Sequence, residues 1–192
     1  MERYRILVVC TGNICRSPFA ERLLRARLDD RLGADAARIE VASAGTYGLI
    51  GEPMMGESAE TLLRYGGDPA GFAACAVSVE QIEDSDLVLG LTREHRAAVV
   101  TMVPRAASRT VTLREYARLL TGVTREDLGD AGPDPVERFR AITVAAFGRR
   151  GFAPPDDPAD DDVPDPFGGA MSGYEHAAAM IDRALNVPLA LL

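Results

Sequence analysis

The sequence has no tryptophan, two histidines and only three cysteines in 192 residues. Cys10, Cys15 and Cys75 are odd in number and lack the spread of a secreted disulfide framework, so a reducing, cytoplasmic setting is expected. Long apolar runs are also missing. The run that ends in Cys10 is too short for the core of a signal peptide, and no stretch approaches the about 20 apolar residues of a membrane span. No membrane partner is predicted. Positive charge is in deficit, and a net charge of −8 argues against a nucleic-acid partner. A small anion pocket remains compatible with that balance, because one Arg and a cradle of amides can be locally positive within an acidic protein.

What is present is ordinary for a soluble globular chain: 47% apolar and 26% charged residues. The length fits one domain spanning 1–192, expected as a monomer. Strand and helix signals alternate. Arg5 to Cys10 is apolar and rich in β-branched residues, as in a strand buried on both faces. Thr11-Gly12-Asn13 breaks it. Ser17-Pro18 reads as a cap and first helical position, for a helix from Phe19 to about Leu32 that Gly33 ends. Strands follow at Ile39 to Ser43, Asp86 to Leu91 and Thr110 to Thr112. Helices are predicted from Ser58 to Tyr65, from a capping box at Ser78 and Gln81, and from Thr92 to Val103. A second capping box, Thr112 with Glu115, opens one over Leu113 to Leu120. The alternation predicts a mostly parallel sheet covered on both faces. Beyond it, Gly122 to Asp134 is polar and rich in Gly and Asp, and Pro135 to about Phe147 has helical spacing. Gly151 to Pro166 holds five Pro and six Asp and reads as a long loop that builds no core, and a last helix runs from about Ser172 to Leu192.

The chemistry concentrates in Cys10-Thr-Gly-Asn-Ile-Cys-Arg-Ser-Pro18. A residue ending a buried strand lies at the sheet edge where such folds bind ligands, and the next helix N-terminus favours an anion. Five residues separate Cys10 from Arg16, enough for an arc with amides inward that returns the guanidinium beside the sulfur. Gly12 and Asn13 are residue types that tolerate the positive φ of such an arc. A thiol placed there, beside a cation, ionises readily, so Cys10 is expected to be a nucleophilic thiolate. Arg16 would bind two oxygens of a phosphoryl group, and the Ser17 hydroxyl would donate to the sulfur. Expelling an alkoxide or phenolate also needs a proton donor. Four Asp-Pro pairs offer one, at Asp68, Asp134, Asp157 and Asp165, and composition does not choose among them.

The segment CTGNICRSP resembles the signature of the low-molecular-weight protein tyrosine phosphatases. The similarity extends to Ser43-Ala-Gly-Thr46, Ala59–Gly67, Asp86–Arg96 and Asp165-Pro-Phe-Gly168, with Tyr174 beyond. Gly122 to Val163 is longer than the family's usual connection, so 122–164 reads as a loop-rich insertion. The resemblance implies an α/β fold with a four-stranded parallel sheet flanked by helices on both faces. It implies hydrolysis of phosphotyrosine in proteins or peptides, and of aryl phosphates, through a phosphocysteine intermediate, with neither cofactor nor metal. Cys10 would be the nucleophile, Arg16 the phosphate ligand and Asp165 the general acid. Thr11, Gly12, Asn13, Ile14, Cys15, Ser17 and Ser43 would bind phosphate or shape the loop. Phe167 would stack on the leaving group, and Tyr47 and Leu49 lie where the family often has a substrate-flanking aromatic. In similar phosphatases of phosphoarginine Thr replaces Ile14, so Ile14 favours phosphotyrosine.

Cys15 reads equally as a partner that protects Cys10 in a reversible disulfide and as a small residue packed behind the loop. Cys75 stands where similar chains often carry Arg and is read as packing. His95 and His176 are read as structural or solvated. An arsenate reductase shares this loop but needs a relay of further cysteines, for which only Cys75 is available. A silent phosphopeptide-binding module would need neither Cys10 nor Asp165.

Overall fold

The computed structural model describes residues 2–129 and 132–192. Residues 130 and 131 of the stretch read as polar from Gly122 to Asp134 lie outside the described residues. Four strands form one parallel sheet in the order β2-β1-β3-β4: β1 Tyr4–Cys10, β2 Ile39–Gly45, β3 Leu87–Gly90 and β4 Thr110–Thr112. β1 pairs with β2 from Tyr4 opposite Ile39 to Cys10 opposite Gly45, and with β3 from Ile6 opposite Leu87 to Val9 opposite Gly90.

Strand alternation assigns each side chain of β1 to a layer. Tyr4, Ile6, Val8 and Cys10 face the larger core, shared with α1 (Arg16–Leu32), α5 (Leu113–Leu120), α6 (Pro135–Gly148) and α7 (Met171–Leu189). Leu7 and Val9 face a smaller core closed by α3 (Val79–Asp84) and α4 (Arg93–Met102), through Ile82 and Val99. A short helix α2 (Gly56–Arg64) completes the set. Because the chain passes from β1 to β2 on one side and returns to β3 on the other, the C-terminal end of β1 sits where strand order reverses. That crevice is where open α/β sheets bind ligands, and Cys10 is at its edge.

The boundaries follow local chemistry. Ser78 and Gln81 form the full reciprocal capping box, and Thr92 caps α4 through the amide of His95. Thr112 caps α5 as expected, but the reciprocal half is not made: Glu115 turns to Arg150 instead, at 3.3 Å. α1 starts earlier than the Ser17-Pro18 signal suggested. Its N-cap is Cys15 and no side chain caps it, because the Ser17 hydroxyl is turned inward.

The segment 122–164 is not loop alone. Asp134, one of the four aspartates before Pro, is the N-cap of α6 and accepts from the amides of Val136 and Glu137. Val136, Phe139, Ile142 and Ala146 of α6 enter the core, where Phe139 stacks on Tyr4 with ring centroids 5.4 Å apart. Thr143 Oγ1 bonds both buried tyrosine hydroxyls, Tyr4 at 2.6 Å and Tyr116 at 3.0 Å. The expectation that Gly151 to Pro166 builds no core is corrected at two residues. Val163 is fully buried, and its amide donates to Leu91 O at 2.8 Å. Pro166 is buried too, beside Phe19 and Tyr174. A Pro- and Asp-rich loop therefore still has two apolar anchors.

Phe139→Ala is expected to destabilise the protein by about 3–5 kcal/mol, the usual cost of emptying a fully buried aromatic site. Urea unfolding reads it, and a loss under about 1 kcal/mol would mean that α6 is not part of the core.

Candidate active site

The arc after β1 is fixed by its carbonyls. Those of Cys10, Thr11, Gly12 and Ile14 accept from the amides of Thr46, Tyr47, Leu49 and Met55 at 2.8–3.0 Å. In a trans peptide the N–H of the next residue points opposite to the C=O. The amides of Thr11, Gly12, Asn13 and Cys15 are thus turned to the inner side of the arc. The Asn13 amide is seen there, 3.3 Å from Cys10 Sγ. The lacing requires close approach at Gly45, where a Cβ would meet Thr11 O at 2.4 Å. Of the two residues expected to take positive φ, only Asn13 does, at 57°; Gly12 does not.

Asn13 is also the hub behind the loop. Its Nδ2 donates to Ser17 Oγ at 2.9 Å and Ser43 Oγ at 2.8 Å, and its Oδ1 accepts from the Cys75 amide at 2.9 Å. Ser43 donates its own hydrogen to Glu21 at 2.6 Å. Ser17 Oγ therefore receives a bond from Asn13, and its own hydrogen has two acceptors in reach, Cys10 Sγ at 2.9 Å and Ala44 O at 3.4 Å. Glu21 was not singled out from the sequence. A Glu on the first turns of a helix reads as solvated, yet this one is 6% exposed and paired with Arg25 at 3.2 Å.

Arg16, 5% exposed, lies beside the sulfur in the same cleft. Nη1 donates to Val163 O at 3.0 Å, and Nη2 to Asp165 at 2.6 Å and Thr11 Oγ1 at 3.4 Å. Its Nε is buried with no partner among the described residues, as are those of Arg22, Arg27, Arg96 and Arg109, but Arg16 alone of the five lines this cleft. Of the four Asp-Pro pairs, only Asp165 reaches this cleft. Asp134 caps α6, Asp157 caps a short 3₁₀ turn at Pro158–Asp161, and Asp68 closes a turn onto the Ala70 amide.

The cleft holds about 200 Å³. Tyr47, Leu49 and Phe167 stand at its mouth, all exposed, with Tyr47 at 80%. Ile14 and Cys15 line its inner wall and pack against Ala74 and Tyr174. Cys15 is a free thiol whose pKa burial, with the nearby Asp165 charge, pushes up to about 12. Cys75, half-buried as read, contributes its backbone amide to Asn13.

His95 is closer to the chemistry than its place in α4 suggested. It is 4% exposed, with Nε2 2.9 Å from Thr11 Oγ1 and Nδ1 2.9 Å from Thr92 Oγ1. Burial, reinforced by the Arg16 charge, lowers its pKa to about 4, so the ring is neutral at physiological pH. Its hydroxyl partner Thr11 also accepts from Arg16, which ties the histidine to the guanidinium through one oxygen. His176 is exposed on α7.

Residues 5–143 match the family model described as "Low molecular weight phosphotyrosine protein phosphatase". A low molecular weight protein-tyrosine-phosphatase of Streptomyces coelicolor is 30% identical over 184 residues, covering 94% of this chain and 88% of that one. A protein-arginine-phosphatase of Geobacillus stearothermophilus is 33% identical over 138 residues, covering 72% and 85%. Among solved structures, the low molecular weight protein tyrosine phosphatase from T. tengcongensis superposes with a TM-score of 0.69 at 26% identity, covering 98% of this chain and 99% of that one.

A histidine held neutral in the fold makes stability depend on pH with a definite sign. From pH 6.5 down to about 4 the unfolded chain takes up a proton that the folded one refuses, so stability falls as pH is lowered through that window. Replacing the ring by an amide, His95→Gln, is expected to flatten this slope. Urea unfolding at about pH 7 and about pH 5 should show the wild type losing more stability than the variant; equal losses would contradict a neutral buried imidazole.

Proposed function

The chain belongs to the low molecular weight phosphotyrosine protein phosphatase family, and from that premise we propose that it hydrolyses phosphotyrosine in proteins or peptides through a phosphocysteine on Cys10. One observation carries the reading: a buried Arg16 lines the same cleft as the Cys10 sulfur and an arc of amides turned inward. Those donors suit three non-bridging phosphoryl oxygens, with the sulfur beneath the phosphorus.

The steps then follow. A phosphoryl group competes with Asp165 for Arg16 Nη2, which releases the carboxylate to take up a proton from solvent and turn toward the leaving group. Cys10 Sγ then attacks phosphorus, the S–P bond forms as the bond to the leaving oxygen breaks, and Asp165 gives that proton to the leaving oxygen. Water attacks next. Asp165 takes its proton, the S–P bond breaks, and the Ser17 hydroxyl donates to the departing sulfur. The neutral His95 holds Thr11 without adding a second positive charge beside Arg16.

Substrate choice rests on the mouth. Tyr47 and Phe167 put aromatic side chains at the mouth, within reach of an aryl group, and Ile14 gives an apolar wall where the resemblance places Thr in phosphatases of phosphoarginine. The arginine-phosphatase relative makes phosphoarginine the alternative to exclude. A phosphotyrosine peptide is expected to exceed a phosphoarginine peptide in kcat/KM by at least about 100-fold, and the reverse order would overturn the substrate assignment.

Cys10→Ser should abolish turnover of every ester, and Asp165→Asn should lower kcat/KM for phenyl phosphate by about 100-fold or more. Unchanged turnover of that poor leaving group would remove Asp165 as the acid. Iodoacetamide at neutral pH should label Cys10 and spare Cys15, whose thiol stays protonated; peptide mapping that finds Cys15 labelled first would contradict the assignment.

A further inference from the structure

The stretch that delivers Asp165 is Pro- and Asp-rich, and only Val163 and Pro166 anchor it to the core by apolar burial. Its position is set instead by arginines, which supply all 21 basic residues of this chain. Arg118 of α5 forks onto Asp161, with Nε 3.1 Å from Oδ1 and Nη2 2.8 Å from Oδ2, while its Nη1 bonds Ala153 O. That carboxylate is 7% exposed. Arg93, the first residue of α4, donates its amide to Asp162 Oδ1 at 2.7 Å and its Nη2 to Oδ2 at 3.0 Å. Arg114 of α5 donates to Asp162 O at 3.0 Å. Arg16 takes Val163 O at 3.0 Å. Three consecutive residues, 161 to 163, are each tied to the body, and Asp165 follows two residues later with a half-exposed side chain.

A planar fork that meets two acceptors at once fixes direction as well as distance, which a single ammonium does not. Exposed pairs contribute little to stability, but a bidentate pair on a buried carboxylate is a geometric constraint. A proton donor must come within about 2.6–3.2 Å of the leaving oxygen, and a displacement of about 1 Å can cost about 100-fold in rate. We propose that Arg118 and Arg93 are positioning residues for the general acid. They lie outside the cleft and touch no substrate, but their grip on Asp161 and Asp162 sets where Asp165 can deliver its proton.

This rests on Asp165 being the acid, and the leaving group tests both at once. Phenyl phosphate needs the proton; 2,4-dinitrophenyl phosphate, whose phenolate departs unaided, does not. Arg118→Met is expected to lower kcat/KM about tenfold for the phenyl ester and by less than about twofold for the dinitrophenyl ester. Added to Asp165→Asn, it should cause no further loss on the phenyl ester, since there is no acid left to misplace. Equal losses on both esters, no loss on either, or a full further loss in the double variant would each overturn the proposal. Arg93→Met, on a half-exposed side chain, decides the same question by the same ratio if Arg118→Met does not fold. A wild type inert to both esters, or an Asp165→Asn variant that spares the phenyl ester, would bring down the acid assignment itself. Failure of the arginine variants alone leaves that assignment standing.

Discussion

The site depends on the direction of four carbonyl groups. A loop of five residues between a strand and a helix has no secondary structure to orient its peptides, and left alone they would point variously. Here Cys10, Thr11, Gly12 and Ile14 are each bonded from outside by the segment 46–55. Planarity transmits that outward constraint to inward N–H groups. The arc is therefore organised before any ligand arrives, and it does not have to reorient its dipoles when charge develops, which is the condition under which fixed donors stabilise a transition state most.

Behind the arc, hydrogen bonds run in one direction. Glu21 accepts from Ser43, which in turn accepts from Asn13; Asn13 then has a second hydrogen for Ser17, whose own hydrogen is shared between the sulfur, the nearer acceptor at 2.9 Å, and Ala44 O at 3.4 Å. A carboxylate two turns into a helix thus sets the polarity of a chain that ends on Cys10. On the other side Arg16 is held by a backbone carbonyl and a carboxylate, and its charge helps keep His95 neutral.

Much of this was legible. β4 and α5 fall where Thr110 to Thr112 and the Thr112 cap put them, because a short apolar strand and a capped amphipathic helix are local signals. Cys10, Arg16 and Ser17 come together because sequence spacing alone demands it in a strand–loop–helix unit. The unreadable parts are long-range. Nothing near Glu21 or His95 distinguishes them from ordinary helical residues; what gives them meaning is Ser43, 22 positions away, and Thr11, 84 positions away. Val163 was hidden for a related reason. A segment dominated by Pro and Asp reads as solvated, and its scattered apolar residues carry no periodicity to say that Val163 faces inward while Phe152 is exposed.

The segment that laces the arc also carries Tyr47 and Leu49 at the cleft mouth, and it passes so close to Thr11 at Gly45 that no side chain fits there. Recognition rim and anion cradle are consequently one mechanical body. Insertions or deletions between 46 and 55 would shift the register of every lacing amide that follows them and loosen the cradle with the rim. Selectivity in this part of the molecule can be retuned by exchanging side chains on an unchanging backbone, and hardly at all by altering loop length.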